Sequence, residues 1–193
     1  MLGIFLDTET NGLNSSKHRI IEIAYAIVDV ETGKEHESFE SRIALSRELW
    51  EQGDKASLSI TKTTWEENQT GLTAEAVTSD ILDSFKRCNI QRGQSVFICQ
   101  NPSFDRTFFA QLIDADRQEG LNWPYHWLDL ASMYWAMALT KKTTPPWITG
   151  LSKNKIASVY GLGEEGLPHR AMNGVRHLIA CYDAVVGFPK SSL

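Results

Sequence analysis

Long hydrophobic runs, paired cysteines and an excess of positive charge are all missing from this sequence. No apolar stretch approaches the ~20 residues that a membrane-spanning helix needs, and no signal peptide precedes the first predicted strand. The cysteines are Cys88, Cys99 and Cys181, and none of them forms a C-x-x-C pair. We therefore expect a cytoplasmic protein with reduced cysteines, without zinc and without membrane contact.

The charge balance excludes one kind of nucleic-acid binder and leaves others open. With 19 lysines and arginines against 24 acidic residues, the formal net charge is −5, so the molecule as a whole is not a polycation that retains any nucleic acid. An enzyme that releases its product needs no uniformly basic surface, and a metal ion can offset an acidic cluster. The 193 residues, 42% of them hydrophobic, predict a single soluble domain over 1–193.

The spacing of apolar residues predicts an α/β domain. The predicted strands are a first run that begins at Gly3, followed by 20–30, 35–43, 95–99 and 127–128. The predicted helices are 73–88, a helix that opens at Pro102, then 130–139, 151–160 and 171–186. Three strands, a helix, a strand, a helix and then mostly helices indicate a mixed five-stranded sheet flanked by helices.

Two segments carry finer predictions. Residues 44–71 show no clean period and hold Trp50 and Trp65 among polar residues, so we expect an irregular segment with one short helix that lines a substrate groove. The last helix is predicted to bury a single stripe of side chains. That stripe consists of Met172, Val175, Ile179, Tyr182 and Val186.

The first predicted strand ends in two carboxylates, Asp7 and Glu9, followed by a polar turn that contains Gly12. Residues i and i+2 of a strand point to the same face, so the two acids project together. Strand ends in open α/β sheets are where such folds place their sites, and oxygen-rich clusters suit Mg²⁺ or Mn²⁺. An isolated D-x-E pair is more often two solvated acids, so the interpretation depends on partners elsewhere in the chain.

Three later stretches supply candidate partners for these acids. Asp105 lies in the first turns of the helix that directly follows a predicted buried strand, Asp129 precedes the next long helix, and His169 precedes the last helix. Each also has an ordinary explanation, namely a helix-N-terminal acid, a helix cap, and a cap or surface histidine. Their order along the chain, more than any one of them, indicates a site.

Taken together, these stretches resemble the DEDDh branch of the 3′-5′ exonuclease superfamily, which includes oligoribonuclease, ribonuclease T and polymerase proofreading subunits. The stretches that carry the resemblance are 7–13 (DTETNGL), 101–105 (NPSFD) and 169–172 (HRAM), with support from 20–24 (IIEIA), Asp129 and 160–162 (YGL). The resemblance covers essentially the whole chain. It implies a ribonuclease H-like fold for the predicted sheet and helices.

The resemblance also implies roles for individual residues. In the family, carboxylates hold two divalent ions, Mg²⁺ or Mn²⁺, that bracket the scissile phosphate, and a histidine acts as the general base. Carried over, Asp7, Glu9 and Asp105 are catalytic metal ligands and His169 is the base. The implied substrate-binding residues are Thr8, Thr10, Leu13, Asn101 and Phe104. Stacking on such side chains tolerates any base, so a sequence-nonspecific enzyme is expected.

One departure from the family pattern concerns its fourth carboxylate. The pattern runs His-x-Ala-x-x-Asp, and here the position of the final Asp is Gly174, preceded by Asn173. Asp183 lies further along the helix by roughly 13 Å at the usual rise per residue, which is too far to substitute simply. A neutral amide attracts a hard dication less than a carboxylate does, so one metal is expected to bind more weakly.

Three functions stay open at this stage. The first is a metal-dependent 3′-5′ exonuclease that releases nucleoside 5′-monophosphates from single-stranded DNA or RNA. The second is a catalytically weakened nucleic-acid-binding module on the same fold, and the third is an endonuclease on the related ribonuclease H architecture. Retention of Asp7, Glu9, Asp105 and His169 favours catalysis, because a binding module has no need for a repulsive acidic cluster. Relatives such as ribonuclease T form dimers, so a homodimer is compatible with the resemblance.

Overall fold

The computed structural model describes residues 1–190 and contains a mixed five-stranded sheet, as predicted. Its strands are β1 (Leu2–Thr10), β2 (Ile20–Asp29), β3 (Glu35–Arg42), β4 (Ser95–Cys99) and β5 (Trp127–Asp129). The spatial order is β3-β2-β1-β4-β5. Strand β2 pairs antiparallel with both β1 and β3, whereas β4 pairs parallel with both β1 and β5. The single-domain prediction for 1–193 extends to 191–193, which lie outside the described residues.

Helices cover both faces of this sheet. Those within the described residues are α1 (Arg47–Glu51), α2 (Lys55–Thr61), α3 (Trp65–Asn68), α4 (Ala74–Arg87), α5 (Pro102–Phe109), α6 (Ala115–Gly120), α7 (Leu130–Lys141), α8 (Pro146–Thr149), α9 (Lys153–Val159) and α10 (Ala171–Val185). In the described part of the chain, none of them has the length and apolar character that a membrane crossing requires.

The alternation of side chains along β1 divides the core into two layers. Leu6 packs in the layer formed with α4 and α5, whereas Phe5 packs in the layer formed with α7, α9 and α10. Because successive side chains of a strand point to opposite faces, Asp7 and Glu9 continue the row of Phe5, and Thr8 continues the row of Leu6. The two acids therefore project toward the α10 layer, and Thr8 projects toward α5.

The carboxyl end of β1 has a neighbouring strand on one side only. Parallel pairing with β4 ends at Phe5 and Ile98, whereas antiparallel pairing with β2 continues as far as Thr10. Residues 7–9 therefore form one wall of an opening beside the end of β4. This is the carboxyl edge of the parallel strands, where ligands bind in sheets of this kind.

The prediction of one short helix within 44–71 is wrong, because the segment contains the three short helices α1, α2 and α3. Each helix is preceded by an N-cap residue whose side chain accepts a hydrogen bond from a backbone N–H in the first turn. The N-caps are Ser46, Asp54 and Thr64. Helices of four to seven residues make at most two turns, so they are too short for apolar residues to recur at helical spacing. Hydrophobic periodicity therefore does not predict them. The short helices α6 and α8 escaped prediction for the same reason.

The buried face of α10 also differs from the predicted stripe. The buried residues are Ala171, Gly174, Val175, Leu178, Cys181, Tyr182 and Val185. Met172 and Ile179 are only partly buried, and Val186 is 41% exposed. The small residues Ala171 and Gly174 let the helix backbone lie close to the sheet, and close packing then determines which face is buried.

Candidate active site

A cleft of about 310 Å³ opens at the carboxyl end of β1. Side chains from β1, from the start of α5, from the start of α9 and from the loop before α10 line it. They belong to Asp7, Thr8, Glu9, Gln100, Phe104, Asp105, Ser152, Lys153, Asn154, Glu165 and His169. The structure thus brings the predicted catalytic residues Asp7, Glu9, Asp105 and His169 into one cleft.

Asp105 reaches the cleft from α5 and is tied to β1. Its side chain is 4% exposed, and its Oδ1 accepts hydrogen bonds from the Thr8 backbone N–H at 3.1 Å and from the Thr8 hydroxyl at 2.8 Å. The Thr8 hydroxyl can make its bond because the side chain points to the α5 side of the strand. These bonds hold the Asp105 carboxylate beside the strand end that carries the other two acids.

The loop that carries His169 is attached to β2 on one side. Immediately after it, the backbone N–H of Ala171 donates a hydrogen bond to Oε1 of Glu22 at 2.8 Å. Glu22 is buried, and desolvation raises the pKa of its carboxyl group. His169 itself lies with Nδ1 at 3.3 Å from Oε1 of Glu165.

On its other side, the same loop is attached to the segment that follows β3. The guanidinium of Arg170 donates hydrogen bonds to the Thr61 carbonyl at 3.0 Å and to the Thr63 hydroxyl at 3.1 Å. The segment 44–71 therefore contributes to the site by holding the neighbour of His169 in place.

Replacing Glu22 with Ala is expected to lower the free energy of unfolding by about 2 kcal/mol, because the buried N–H of Ala171 loses its acceptor. Chemical denaturation measures the change. Glu22→Gln keeps an acceptor oxygen and should recover most of the loss, and Glu40→Ala on the exposed face of β3 is the matched control. Equal stabilities for Glu22→Ala and Glu40→Ala would contradict this role.

Helix α10 approaches Asp7 through Gly174. A Cβ atom at Gly174 would overlap the carboxylate of Asp7, so no larger residue fits while Asp7 keeps its position. The residue that departs from the family pattern is therefore also the one that leaves room for Asp7.

Two charged residues in the cleft, Lys153 and Glu165, were not predicted from the sequence. Lys153 Nζ lies 2.8 Å from Glu165 Oε2, 3.4 Å from Asp7 Oδ1 and 3.2 Å from the carbonyl oxygen of Gly174. Glu165 comes from the loop before α10 and is only 8% exposed. A lysine in the first turn of a helix and a glutamate in a Gly/Glu loop are normally solvated, so neither carried a local signal.

Burial raises the pKa values of the three predicted metal ligands. Desolvation raises the pKa of Asp7 from 3.8 to about 6, against the opposing effect of Lys153. Desolvation and the charge of Asp7 raise the pKa of Glu9 from 4.5 to about 8. Desolvation also raises the pKa of Asp105 well above its usual range, against the hydrogen bonds from Thr8. A bound cation would favour the charged form of each group and oppose these shifts.

The raised pKa of Glu9 predicts that the metal-free protein loses stability as the pH rises. With a pKa of about 8 in the folded protein against 4.5 in the unfolded chain, the folded state binds more protons between these values. The stabilising contribution is complete below the lower value and is lost as the pH rises through the upper one. We expect the free energy of unfolding, measured with a chelator present, to fall by roughly 3 kcal/mol between about pH 5 and pH 8.

The matched control for this pH dependence is Glu9→Gln, which has the same shape and no titrating carboxylate. Its stability should change less across the same range than that of the wild type. A wild-type profile that is flat or rises with pH would contradict the raised pKa of Glu9.

The cleft offers a donor set that suits a divalent cation. One ligand atom from each of Glu9, Glu165 and His169 lies within 4.8 Å of the others. Carboxylate oxygens bind Mg²⁺ and Mn²⁺, and imidazole nitrogens bind transition metals. Oε1 of Glu165 is buried, lies 3.3 Å from Nδ1 of His169 and accepts no hydrogen bond from residues 1–190, so it can still bind a cation. The residues present therefore fit the metal that the family pattern implies.

The predicted substrate-binding residues lie in different places. Thr8 and Phe104 line the cleft. The hydroxyl of Thr10 donates to the Gly12 carbonyl at 2.8 Å, which stabilises the turn after β1. Leu13, just beyond this turn, is 77% exposed.

Asn101 precedes α5 in the left-handed region, with φ of 58°, a conformation that Asn tolerates better than most residues. Its side-chain oxygen accepts a hydrogen bond from the Ser103 hydroxyl at 2.7 Å, and its backbone N–H donates to Asp129 at 3.1 Å. Asp129 also caps α7. These two residues therefore brace the start of α5, and the structure does not place them among the residues that line the cleft.

Comparison with known proteins identifies the class that this fold and site define. Residues 4–182 match the RNase T exonuclease family. The chain belongs to this family, which confirms the resemblance to the DEDDh-type 3′-5′ exonuclease superfamily. No curated protein matches the sequence at a significant level.

Solved nucleases share the fold. The zinc-bound complex of E. coli exonuclease I with single-stranded DNA aligns with a TM-score of 0.77 at 17% identity, over 95% of this chain and 40% of that one. Cell-death related nuclease 4 aligns with a TM-score of 0.73 at 15% identity, over 98% of this chain and 65% of that one. The nuclease domain of 3′hExo, a DEDDh family member bound to rAMP, aligns with a TM-score of 0.69 at 14% identity, over 97% of this chain and 94% of that one.

These alignments confirm the ribonuclease H-like sheet. The chain spans about two-fifths of the length of exonuclease I, so the comparison with that protein concerns the shared domain. At identities of 14–17% the likeness concerns the fold.

Proposed function

We propose that this chain is a metal-dependent 3′-5′ exonuclease that hydrolyses phosphodiester bonds at the 3′ end of single-stranded DNA or RNA and releases nucleoside 5′-monophosphates. The observation that carries the proposal is the convergence of Asp7, Glu9, Asp105 and His169 in one cleft. Crowding buried carboxylates is unfavourable unless a cation compensates them. Such a cluster is therefore readily explained as a cation site next to a general base.

The three carboxylates are proposed to hold Mg²⁺ or Mn²⁺. When bound, such an ion stabilises the negative charge that develops on the reacting phosphate and its leaving oxygen. Asp7 and Glu9 contribute from one face of β1, and Asp105 is held beside them by Thr8. Because this wall of the cleft is largely buried, electrostatic interactions within it are stronger than in water.

His169 is proposed to accept the proton of the attacking water, a role for which an imidazole is suited at neutral pH. The negative charge of Glu165, 3.3 Å from Nδ1, stabilises the imidazolium that results. The hydrogen bonds of Arg170 and Ala171 hold the flanking backbone, so the ring stays beside the carboxylates.

Two apolar side chains are proposed to contact single-stranded nucleic acid. Phe104 offers an aromatic ring within it, and the exposed Leu13 is proposed as a wedge against the terminal base. Stacking contacts of this kind read no sequence. The single-stranded DNA in exonuclease I and the rAMP in 3′hExo support such a substrate class. A homodimer and a cytoplasmic location stay predictions.

A 5′-labelled single-stranded oligonucleotide tests the proposal. With Mg²⁺ or Mn²⁺ we expect a ladder of products that shorten from the 3′ end, together with nucleoside 5′-monophosphates, and no reaction in a chelator. Circular single-stranded DNA should stay intact because it has no 3′ end. A cut circle would instead indicate the endonuclease.

A nucleic-acid-binding module is the second candidate, and the ion pair between Lys153 and Asp7 favours it, because an ammonium group competes with a metal for that carboxylate. A binding module would hold oligonucleotides equally well with and without a chelator. Asp7→Ala would leave its affinity unchanged, and both metals would leave the oligonucleotide intact.

A further inference from the structure

The ammonium group of Lys153 occupies a fixed place among the site carboxylates. Its side chain is only 11% exposed, and its Nζ contacts Oε2 of Glu165, Oδ1 of Asp7 and the Gly174 carbonyl. Two carboxylate oxygens and a backbone carbonyl are the ligand types that a hard cation takes. Lys153 therefore has the surroundings of a bound cation within the cleft.

This arrangement depends on the glycine at position 174. A side chain there would overlap Asp7, which is one of the two carboxylates that the ammonium contacts. The chain thus lacks a carboxylate at the position that the family pattern gives it, and has a positive charge beside that position. Both features belong to the same part of the cleft, since Lys153 Nζ lies 3.2 Å from the carbonyl oxygen of Gly174.

Glu165 brings a further carboxylate into the cleft. Its Oε2 is bound to Lys153, whereas its Oε1 is buried and accepts no hydrogen bond within the described residues. One carboxylate oxygen of Glu165 also lies within 4.8 Å of a ligand atom of Glu9 and of His169. A carboxylate oxygen that is buried without a hydrogen bond is unfavourable unless a donor or cation meets it. Nδ1 of His169 lies 3.3 Å from this oxygen but forms no hydrogen bond with it, so the oxygen can still take a cation. Its location in the cleft provides a place for that cation.

We propose that the Lys153 ammonium replaces one of the two divalent ions of the family pattern, and that the chain binds a single divalent ion for which Glu165 supplies the carboxylate that position 174 lacks. The inference rests on the proposed function, since it concerns the same cleft. Lys153 acts as a permanent positive charge, and Glu165 bridges that charge and the bound ion.

Metal stoichiometry tests this inference without reference to activity. Titration of the chelator-treated protein with Mn²⁺, followed by calorimetry and by the electron paramagnetic resonance of free Mn²⁺, should give one ion per chain. Lys153→Met should bind a second ion, or the first one roughly tenfold more tightly, because a competing positive charge is gone. Glu165→Gln should bind the single ion roughly tenfold more weakly.

Lys155→Met is the matched control, since it makes the same change on the exposed face of α9, and it should bind one ion as the wild type does. Two ions on the wild type, or unchanged binding in both Lys153→Met and Glu165→Gln, would overturn the inference. The wild-type stoichiometry decides the matter even where a variant does not fold.

The inference and the proposed function fail in different ways. Two bound ions together with nucleotide release would overturn the inference alone. No bound ion together with an intact oligonucleotide would overturn both.

Discussion

Asp7→Asn is expected to slow nucleotide release by about 10³-fold or more while the protein stays folded. Asp7 stands at the end of β1 in the cleft, and it contacts both helix α10 and Lys153. An amide has nearly the same shape as the carboxylate but no negative charge, so it holds a hard dication far less well. Single-turnover rates on a labelled oligonucleotide measure the loss, and thermal unfolding reports on the fold.

The matched control for Asp7→Asn is Asp83→Asn, which makes the same change on the exposed face of α4. Its rate should stay within about twofold of the wild type, as for most surface substitutions. An Asp7→Asn protein that keeps more than about a tenth of the wild-type rate would contradict the role of Asp7 as a metal ligand.

Gly174→Asp, which restores the family pattern in the sequence, is expected to lower the rate of nucleotide release by roughly 10²-fold instead of raising it. A Cβ at this position overlaps the Asp7 carboxylate, so the new side chain must displace either Asp7 or the backbone of α10. Displacement of a catalytic group by about an ångström has an effect of this order. The same single-turnover assay measures it.

Two further variants separate the steric effect at Gly174 from the added charge. Gly174→Ala should also lower both the rate and the stability, although Gly→Ala in a helix interior normally stabilises by up to about 1 kcal/mol. Gly163→Asp adds a carboxylate where the space is open and should change little. A Gly174→Asp protein that is faster than the wild type would show that the cleft has room for a fourth carboxylate there.

The sequence predicted the parts of the site that depend on local pattern. Asp7 and Glu9 share a face because a strand alternates, and Asp105 follows a buried strand that pairs with β1. Both relations follow from the spacing of residues within one element or its direct continuation. The sheet was predictable for the same reason, because its strands are apolar or alternating runs with clear breaks between them.

The remaining parts of the site depend on contacts between distant segments. Lys153 contacts Asp7, which is 146 residues away in the sequence, and Arg170 donates a hydrogen bond to Thr61, which is 109 residues away. No local spacing encodes such contacts, and Glu165 sits in a loop without a period. The close approach of Gly174 to Asp7 likewise depends on how α10 packs against the sheet. The same packing explains why the buried face of α10 differs from the predicted stripe.

The most direct test of the central claim is to measure nucleoside 5′-monophosphates released by the wild-type protein from a single-stranded oligonucleotide, with and without Mn²⁺. We expect monophosphates to appear from the first time point, only with the ion, while the oligonucleotide shortens one residue at a time. An oligonucleotide that binds the protein yet yields no monophosphate with either Mn²⁺ or Mg²⁺ would contradict it.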